Sequence, residues 1–388
     1  MPKLNRRAML HLGGLGGAWA GAGMPSVAWA AAQTALASRN PADSPVRLNG
    51  DGLGLTPAQY AQVLAGLAER GIAADDYILG GVVEELESRM AALLGKERAV
   101  FMPTGTLANN LAIRTLAGGS GRAVVQADSH IYLDSGDCVQ TLSNVTLMPL
   151  GEGRATFKSE ELERLLERNN TGRVATPIRV VSIESPVRRM RGQIFDAVEL
   201  GKVIAAARKA EVRLHLDGAR LFLEAAYARK NVADYAKPFD TVYVSLYKYF
   251  NASFGAILAG PRDLLDGLFH ARRMFGGGLS QAWTSAAVAL HYLDGFEARY
   301  RQAIDVSESL AKRLAAHSRF TVTREPSGTN LMRVAVQTPD AAAFRQKLAA
   351  RGVRLGAPGA GGVFLVATNE TMNRMVAEQL AAAFIESL

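Results

Sequence analysis

The sequence predicts an α/β protein: a mostly parallel central sheet flanked by helices, followed by a small C-terminal α/β domain. Three observations predict it. Short apolar runs alternate with amphipathic stretches through most of the 388 residues, the pattern of strand–helix–strand units. Aromatics make up 7% and glycine counts 38, which suits a helix-rich α/β chain better than an all-β sandwich. Residues with chemical capacity follow directly after the apolar runs, and parallel sheets bind ligands beyond the carboxyl ends of their strands.

Residues 1–30 read as an address. Lys3, Arg6 and Arg7 form a basic start, Ala8 to Ala22 a mild apolar stretch, and Ala28-Trp29-Ala30 a small-x-small cleavage site. That is the order of a secretory signal. The adjacent arginines match the twin-arginine type, so a periplasmic location is expected. Residues 31–60 form an N-terminal arm. Thr56-Pro57 reads as an N-cap followed by Pro at the first helical position. Helices are expected over Ala58–Arg70 and Val83–Leu94. Strands are expected at Ala99–Met102, Ala123–Gln126, Val145–Pro149, Ile178–Ile183, Arg213–Leu216, Thr241–Ser245 and Ala256–Ala259, with helices such as Ser159–Glu167 and Val198–Lys209 between them. One long helical stretch, Gln281–Ser318, leads to strands at Phe320–Glu325, Leu331–Val336 and Val363–Ala367 and to helices at Ala341–Arg351 and Met372–Ser387. A large domain is expected over 61–296 and a small one over 297–388.

Composition excludes several classes. Hydrophobic residues make up 48% and run throughout, which excludes low-complexity disorder. A single cysteine, Cys138, excludes an intrachain disulfide framework and a multi-cysteine zinc site; no metal is expected. The net charge is +8, but three of the 44 bases and none of the 36 acids lie in residues 1–30. The remaining excess is weak, so no nucleic-acid partner is expected. Beyond the first thirty residues no apolar run reaches the length of a membrane span, so the mature form is expected to be soluble.

Four strand ends carry the chemistry. After Ala99–Met102 comes Pro103-Thr104-Gly105-Thr106-Leu107-Ala108-Asn109. A turn opening a helix presents free N–H groups and hydroxyls, which suits a phosphate or simply caps the helix. After Ala123–Gln126 comes His130, either structural or lying flat on a planar cofactor. Asp217 ends an apolar strand, where an acid needs a cationic partner or caps the next helix. Lys248 follows Thr241–Ser245 in aromatic surroundings that lower an amine's pKa. It trails Asp217 by 31 residues, about one strand–helix–strand unit. Together these groups meet the needs of pyridoxal 5'-phosphate, whose aldehyde takes a lysine and whose ring nitrogen takes an acid.

The chain resembles the threonine aldolase/β-eliminating lyase family of fold-type I pyridoxal-phosphate enzymes. The matching stretches are Glu84 to Glu87, Pro103 to Asn109, Asp128 to Tyr132, His215 to Phe222, Lys248 with Gly255 to Gly260, and Ala271 to Gly278. The resemblance implies the fold-type I architecture and a set of roles. Lys248 is then the Schiff-base lysine, Asp217 pairs with the pyridine nitrogen and His130 stacks on the ring. Gly105 and Thr106 hold the phosphate. Arg220 binds the substrate carboxylate, with Glu184 and Arg188 as further candidates, and Arg273 reaches a neighbouring subunit's phosphate. A homodimer or homotetramer acting on a small amino acid is implied.

Four departures fall on substrate handling. Tyr247-Lys248-Tyr249 replaces Ser-Lys-Gly and puts bulk near the lysine, and Asn251 stands at a position often held by Gly. Val187 stands where a His contacts the substrate hydroxyl, and Ser185 replaces an Asn. Asn49-Gly50-Asp51 replaces Arg-Ser-Asp. Phe364 to Thr368 replaces Arg-Leu-Val-Thr-His. Arg188, Arg189 and Arg191 are either a solvated charge run, or one of them replaces the lost carboxylate contact or selects a more acidic substrate, a role for which Arg333 or Arg354 is the alternative. The expected activity is aldolase-type Cα–Cβ cleavage of a threonine-like β-hydroxy amino acid to glycine and an aldehyde. Rival expectations are β-elimination, racemisation or transamination on the same cofactor, and a non-catalytic binding protein on the same fold.

Overall fold

Seven strands build the central sheet in the computed structural model, which describes residues 44–388. The twin-arginine-type segment and the first part of the arm lie outside the described residues. In chain order the strands are β1 (Val46–Arg47), β2 (Arg98–Met102), β3 (Gly121–Gln126), β4 (Val145–Leu150), β5 (Ile178–Glu184), β6 (Arg213–Asp217), β7 (Thr241–Ser245), β8 (Ala256–Gly260), β9 (Phe320–Arg324), β10 (Leu331–Val336), β11 (Val353–Arg354) and β12 (Val363–Ala367). The large sheet runs β2-β8-β7-β6-β5-β3-β4. Strands β7, β6, β5, β3 and β4 pair in parallel, and β8 is antiparallel to both its neighbours.

The central strands are buried on both faces, so they read as continuous apolar runs rather than alternating ones. Helices cover both faces. Each buried aliphatic side chain contributes about 1.5–3 kcal/mol, which makes this sheet a rigid platform for the loops beyond its strand ends. Boundaries follow local chemistry. Thr56 accepts from Gln59 N while the Gln59 side chain accepts from Thr56 N, a capping box that starts the helix Pro57–Ala68 at its proline.

Two expected helical segments differ from the structure. The stretch Gln281–Ser318 is two helices, Trp283–Leu293 and Phe296–Ala315. Gly295 at φ +65° separates them, a left-handed turn that glycine adopts without strain. Likewise the C-terminal helix is shorter, Ala377–Ile385, preceded by a 3₁₀ turn at Glu370–Arg374.

A second, antiparallel sheet, β12-β10-β9, has its own apolar core around Phe320, Phe344, Phe364 and Phe384. The arm contributes β1, which pairs in parallel with β11. From there residues 48–55 run to the loop after β7, where Leu53 N donates to Asn251 Oδ1 at 2.7 Å. No helix of the described residues is long and apolar enough to cross a membrane.

Candidate active site

The strand ends converge on one cavity of about 420 Å³, within the size range of small-ligand sites. Gly105, Thr106, His130, Glu184, Arg188, Asp217, Arg220 and Lys248 all line it. Arg273 does not: its guanidinium lies 4.8 Å over the Tyr77 ring, on the exposed side of the helix Leu268–Met274.

The turn after β2 opens the helix Gly105–Ala117, with Thr104 Oγ1 accepting from Leu107 N at 3.1 Å. Gly105 and Thr106, at the first two helical positions, have no intrahelical acceptor for their N–H groups. A Cβ at Gly105 would lie 2.0 Å from Tyr243 Oη, so only glycine fits under that phenol. Asp217 and Glu184 stand opposite each other at the ends of β6 and β5. Glu184 Oε2 accepts from His130 N at 2.6 Å and Oε1 from Arg188 N at 2.9 Å. Burial and the neighbouring Asp217 push its carboxyl up. Glu184 is therefore chiefly a brace that places His130 at the cavity wall. His130 Nδ1 lies 3.6 Å from Asp134 Oδ2.

Asp217 is 3% exposed. Its carboxylate accepts from Asn109 Nδ2 at 2.6 Å and from Ala219 N at 3.2 Å, both neutral donors. Among the described residues no cation forms an ion pair with it. Lys248 lies over the Tyr247 ring at 5.3 Å. Burial and the nearby Arg220 pull its amine down to about 8.

Arg220 is already paired. Its Nε and Nη2 donate to Asp51 Oδ2 at 3.0 and 2.8 Å, and Asn330 Nδ2 donates to Asp51 Oδ1 at 3.1 Å. A guanidinium has five N–H donors, so its remaining edge is left for the cavity. Arg188 lines the wall while bridged to Asp134 at 2.5 Å, and Arg189 shares that acid at 2.6 Å. Arg191 and Arg333 pair with Glu325, and Arg354 lies on β11 outside the cavity. Of the arginine run, only Arg188 reaches the site.

The departures have physical readings. Tyr249 faces away from the cavity into a cluster with Phe222, Phe250 and Phe296; only Tyr247 adds bulk beside Lys248. Asn251 sits at φ +56°, a left-handed conformation that Asn tolerates better than most residues. Val187 is fully buried and bridges to Gln193, so nothing at that position enters the cavity. Ser185 Oγ donates to the buried Glu224 at 2.8 Å. Sequence reasoning missed Arg47. It lines an adjoining cavity of about 770 Å³ that shares Arg220, Tyr247 and Lys248 with the first. Its backbone is pinned by Thr371 and Asn369, and its side chain donates to Gly54 O at 3.0 Å.

A beta-eliminating lyase family model matches residues 67–337, which span the sheet and every residue of the first cavity. The chain belongs to the beta-eliminating lyase family. A low-specificity L-threonine aldolase of Candida albicans is 28% identical over 212 residues, covering 54% of this chain and 56% of that protein. A low specificity L-threonine aldolase of Escherichia coli O157:H7 is 25% identical over 276 residues, 71% of this chain and 80% of that one. The crystal structure of a Listeria monocytogenes EGD-E protein, assigned provisionally as an L-allo-threonine aldolase, superposes with TM-score 0.73 at 26% identity, covering 92% of this chain and 98% of that one. This lyase-family chain thus spans little more than half the length of the Candida relative it matches.

The residues of this site fit pyridoxal 5'-phosphate. The buried Asp217 carboxyl has only neutral hydrogen-bond donors among the described residues, and a protonated ring nitrogen would supply the cationic partner that a buried acid needs. The lysine of depressed pKa and the bare helix start at Gly105 supply the covalent anchor and the phosphate cradle.

Proposed function

We propose that this chain is a pyridoxal-phosphate-dependent lyase that cleaves the Cα–Cβ bond of a threonine-like β-hydroxy amino acid, releasing glycine and an aldehyde. The carrying observation is the meeting of Lys248, Asp217 and the Gly105 turn in one cavity. The cofactor supplies an electron sink for the pair left at Cα when the bond breaks. The chain does the rest. Lys248 would hold the cofactor through its amine. Asp217 keeps the ring nitrogen protonated. The free edge of Arg220, with Arg47 from the adjoining cavity, takes the substrate carboxylate. With Val187 withdrawn into the core, His130 is the cavity group left to accept the β-hydroxyl proton. Its Nδ1 faces Asp134, which leaves Nε2 toward the substrate. Arg273 remains proposed for the phosphate of a second copy, in a homodimer or homotetramer. Arg6, Arg7 and Ala28-Trp29-Ala30 support export to the periplasm by a twin-arginine route, and an N-terminus starting after Ala30 in the secreted form tests it.

The withdrawal of Val187 also favours a second reading, in which the same cofactor serves β-elimination, racemisation or transamination. Product analysis on a panel of amino acids decides. Glycine plus an aldehyde is the expected outcome. A 2-oxo acid plus ammonia supports elimination, and binding without turnover supports a non-catalytic protein.

A further inference from the structure

We propose that Asn109, His215 and Thr241 form a buried, proton-ordered relay that orients the Asp217 carboxylate and reserves its negative charge for the ring nitrogen of the bound cofactor. The proposal rests on the pyridoxal-phosphate reading of the site and assigns positioning residues behind it.

The bond from Asn109 to Asp217 sets the direction of the hydrogen-bond chain. Asp217 Oδ2 is 2.6 Å from Asn109 Nδ2. The Asn109 amide turns its NH₂ toward Asp217. Asn109 Oδ1 then faces His215 Nε2 at 2.9 Å and accepts from it, which places the imidazole proton on Nε2. His215 Nδ1 is therefore an acceptor, and Thr241 Oγ1 donates to it at 2.8 Å. All members are sealed: Asn109 and His215 are 0% exposed, Thr241 2% and Asp217 3%. They come from one helix and two adjacent strands, β6 and β7, so the relay is held by the rigid part of the fold.

The protonation state of His215 matters. A second proton would make it a cation one amide away from Asp217, and would offset the charge meant for the ring nitrogen. Burial opposes that proton and holds the imidazole down at about 4. The relay therefore fixes geometry without supplying positive charge. The other charged or titratable groups acting on this end of the cavity include Glu184, Tyr243, Tyr247, Lys248, Arg220 and Asp51.

Two measurements on the full chain test the relay. The first labels the six histidines with ¹⁵N and assigns His215 by its loss in His215→Gln. Near neutral pH the expected state is a neutral ring protonated on Nε2. An imidazolium, or a ring protonated on Nδ1, overturns the proposal. The second compares binding of pyridoxal 5'-phosphate with that of its 1-deaza analogue, which has carbon in place of the ring nitrogen. Asn109→Leu is expected to weaken the natural cofactor by about tenfold or more, the size of a lost hydrogen bond to a charged group, and to leave the analogue unchanged. Equal losses for both compounds mean a merely structural role and overturn the proposal. Thr241→Val removes only the outermost donor. It is expected to show the same selective loss to a smaller degree, and it serves if Asn109→Leu does not fold. If the unmodified chain binds neither compound, the cofactor reading fails, and the histidine spectrum still decides the relay.

Discussion

The hydroxyl of Tyr243 occupies the space a side chain at Gly105 would need: a Cβ built there lies 2.0 Å from Tyr243 Oη and 2.5 Å from its Cζ. The helix Gly105–Ala117 packs close over β7 because residue 105 is bare. Gly105→Ala forces the helix start or the buried phenol to move. The expected cost is about 1–3 kcal/mol, as for other overpacked sites, together with weaker cofactor binding. Denaturant unfolding and a cofactor titration measure both, and an unchanged midpoint with unchanged affinity contradicts the packing account.

The tyrosines flanking Lys248 are expected to separate cleanly. Tyr249 is 1% exposed inside an aromatic cluster, whereas Tyr247 is 47% exposed at the cavity. Tyr249→Ala should cost about 3–5 kcal/mol of stability. Tyr247→Ala should stay within about 0.5 kcal/mol while changing the KM for the amino acid. Urea melts and steady-state kinetics on both variants check the contrast.

Asp51 and Arg220 form a shielded pair, with side chains 11% and 16% exposed. Asp51→Ala strands the guanidinium without its partner, a change that typically costs about 3–5 kcal/mol. Arg47→Ala should instead leave stability and the cofactor band unchanged and raise the KM for the amino acid. A KM that does not move removes Arg47 from the substrate site.

Acid stability should carry the signature of His215. Its folded pKa, about 4, lies below the ordinary 6.5. Between those values the unfolded chain takes up a proton that the folded chain refuses, so stability falls as pH drops through that window. At about 1.4 kcal/mol per unit the loss approaches about 3 kcal/mol. Glu87 and Glu224, pushed up to about 7 by burial, act in the opposite sense over part of the range. The measurement is therefore the difference between wild type and His215→Gln. A difference that does not change between pH 7 and pH 4 contradicts a buried neutral histidine.

The sheet was legible in the sequence because parallel strands buried on both faces show as uninterrupted apolar runs. Its strand limits differ from the expected ones by a residue or two. The first four chemical groups were legible for a related reason, since each follows such a run. What stayed hidden depends on contacts far apart in the chain. Arg220 meets Asp51 across 169 residues, and Asn109 meets His215 across 106; no local pattern reports either pair. The Asp294–Gly295 break was visible as a lone glycine, but the apolar periodicity on both sides outweighed it. Asn251 looked like a loss beside the lysine. Its left-handed backbone and its bond to Leu53 N show an arm anchor instead.

In the proposed site Lys248 and Asp217 hold opposite ends of a pyridoxal ring, and cofactor loading tests this most directly. Purified chain mixed with pyridoxal 5'-phosphate is expected to develop a visible absorption band that borohydride fixes onto Lys248, and Lys248→Ala is expected to develop none. A wild-type chain that shows no such band, or a Lys248→Ala variant that keeps it, contradicts the account.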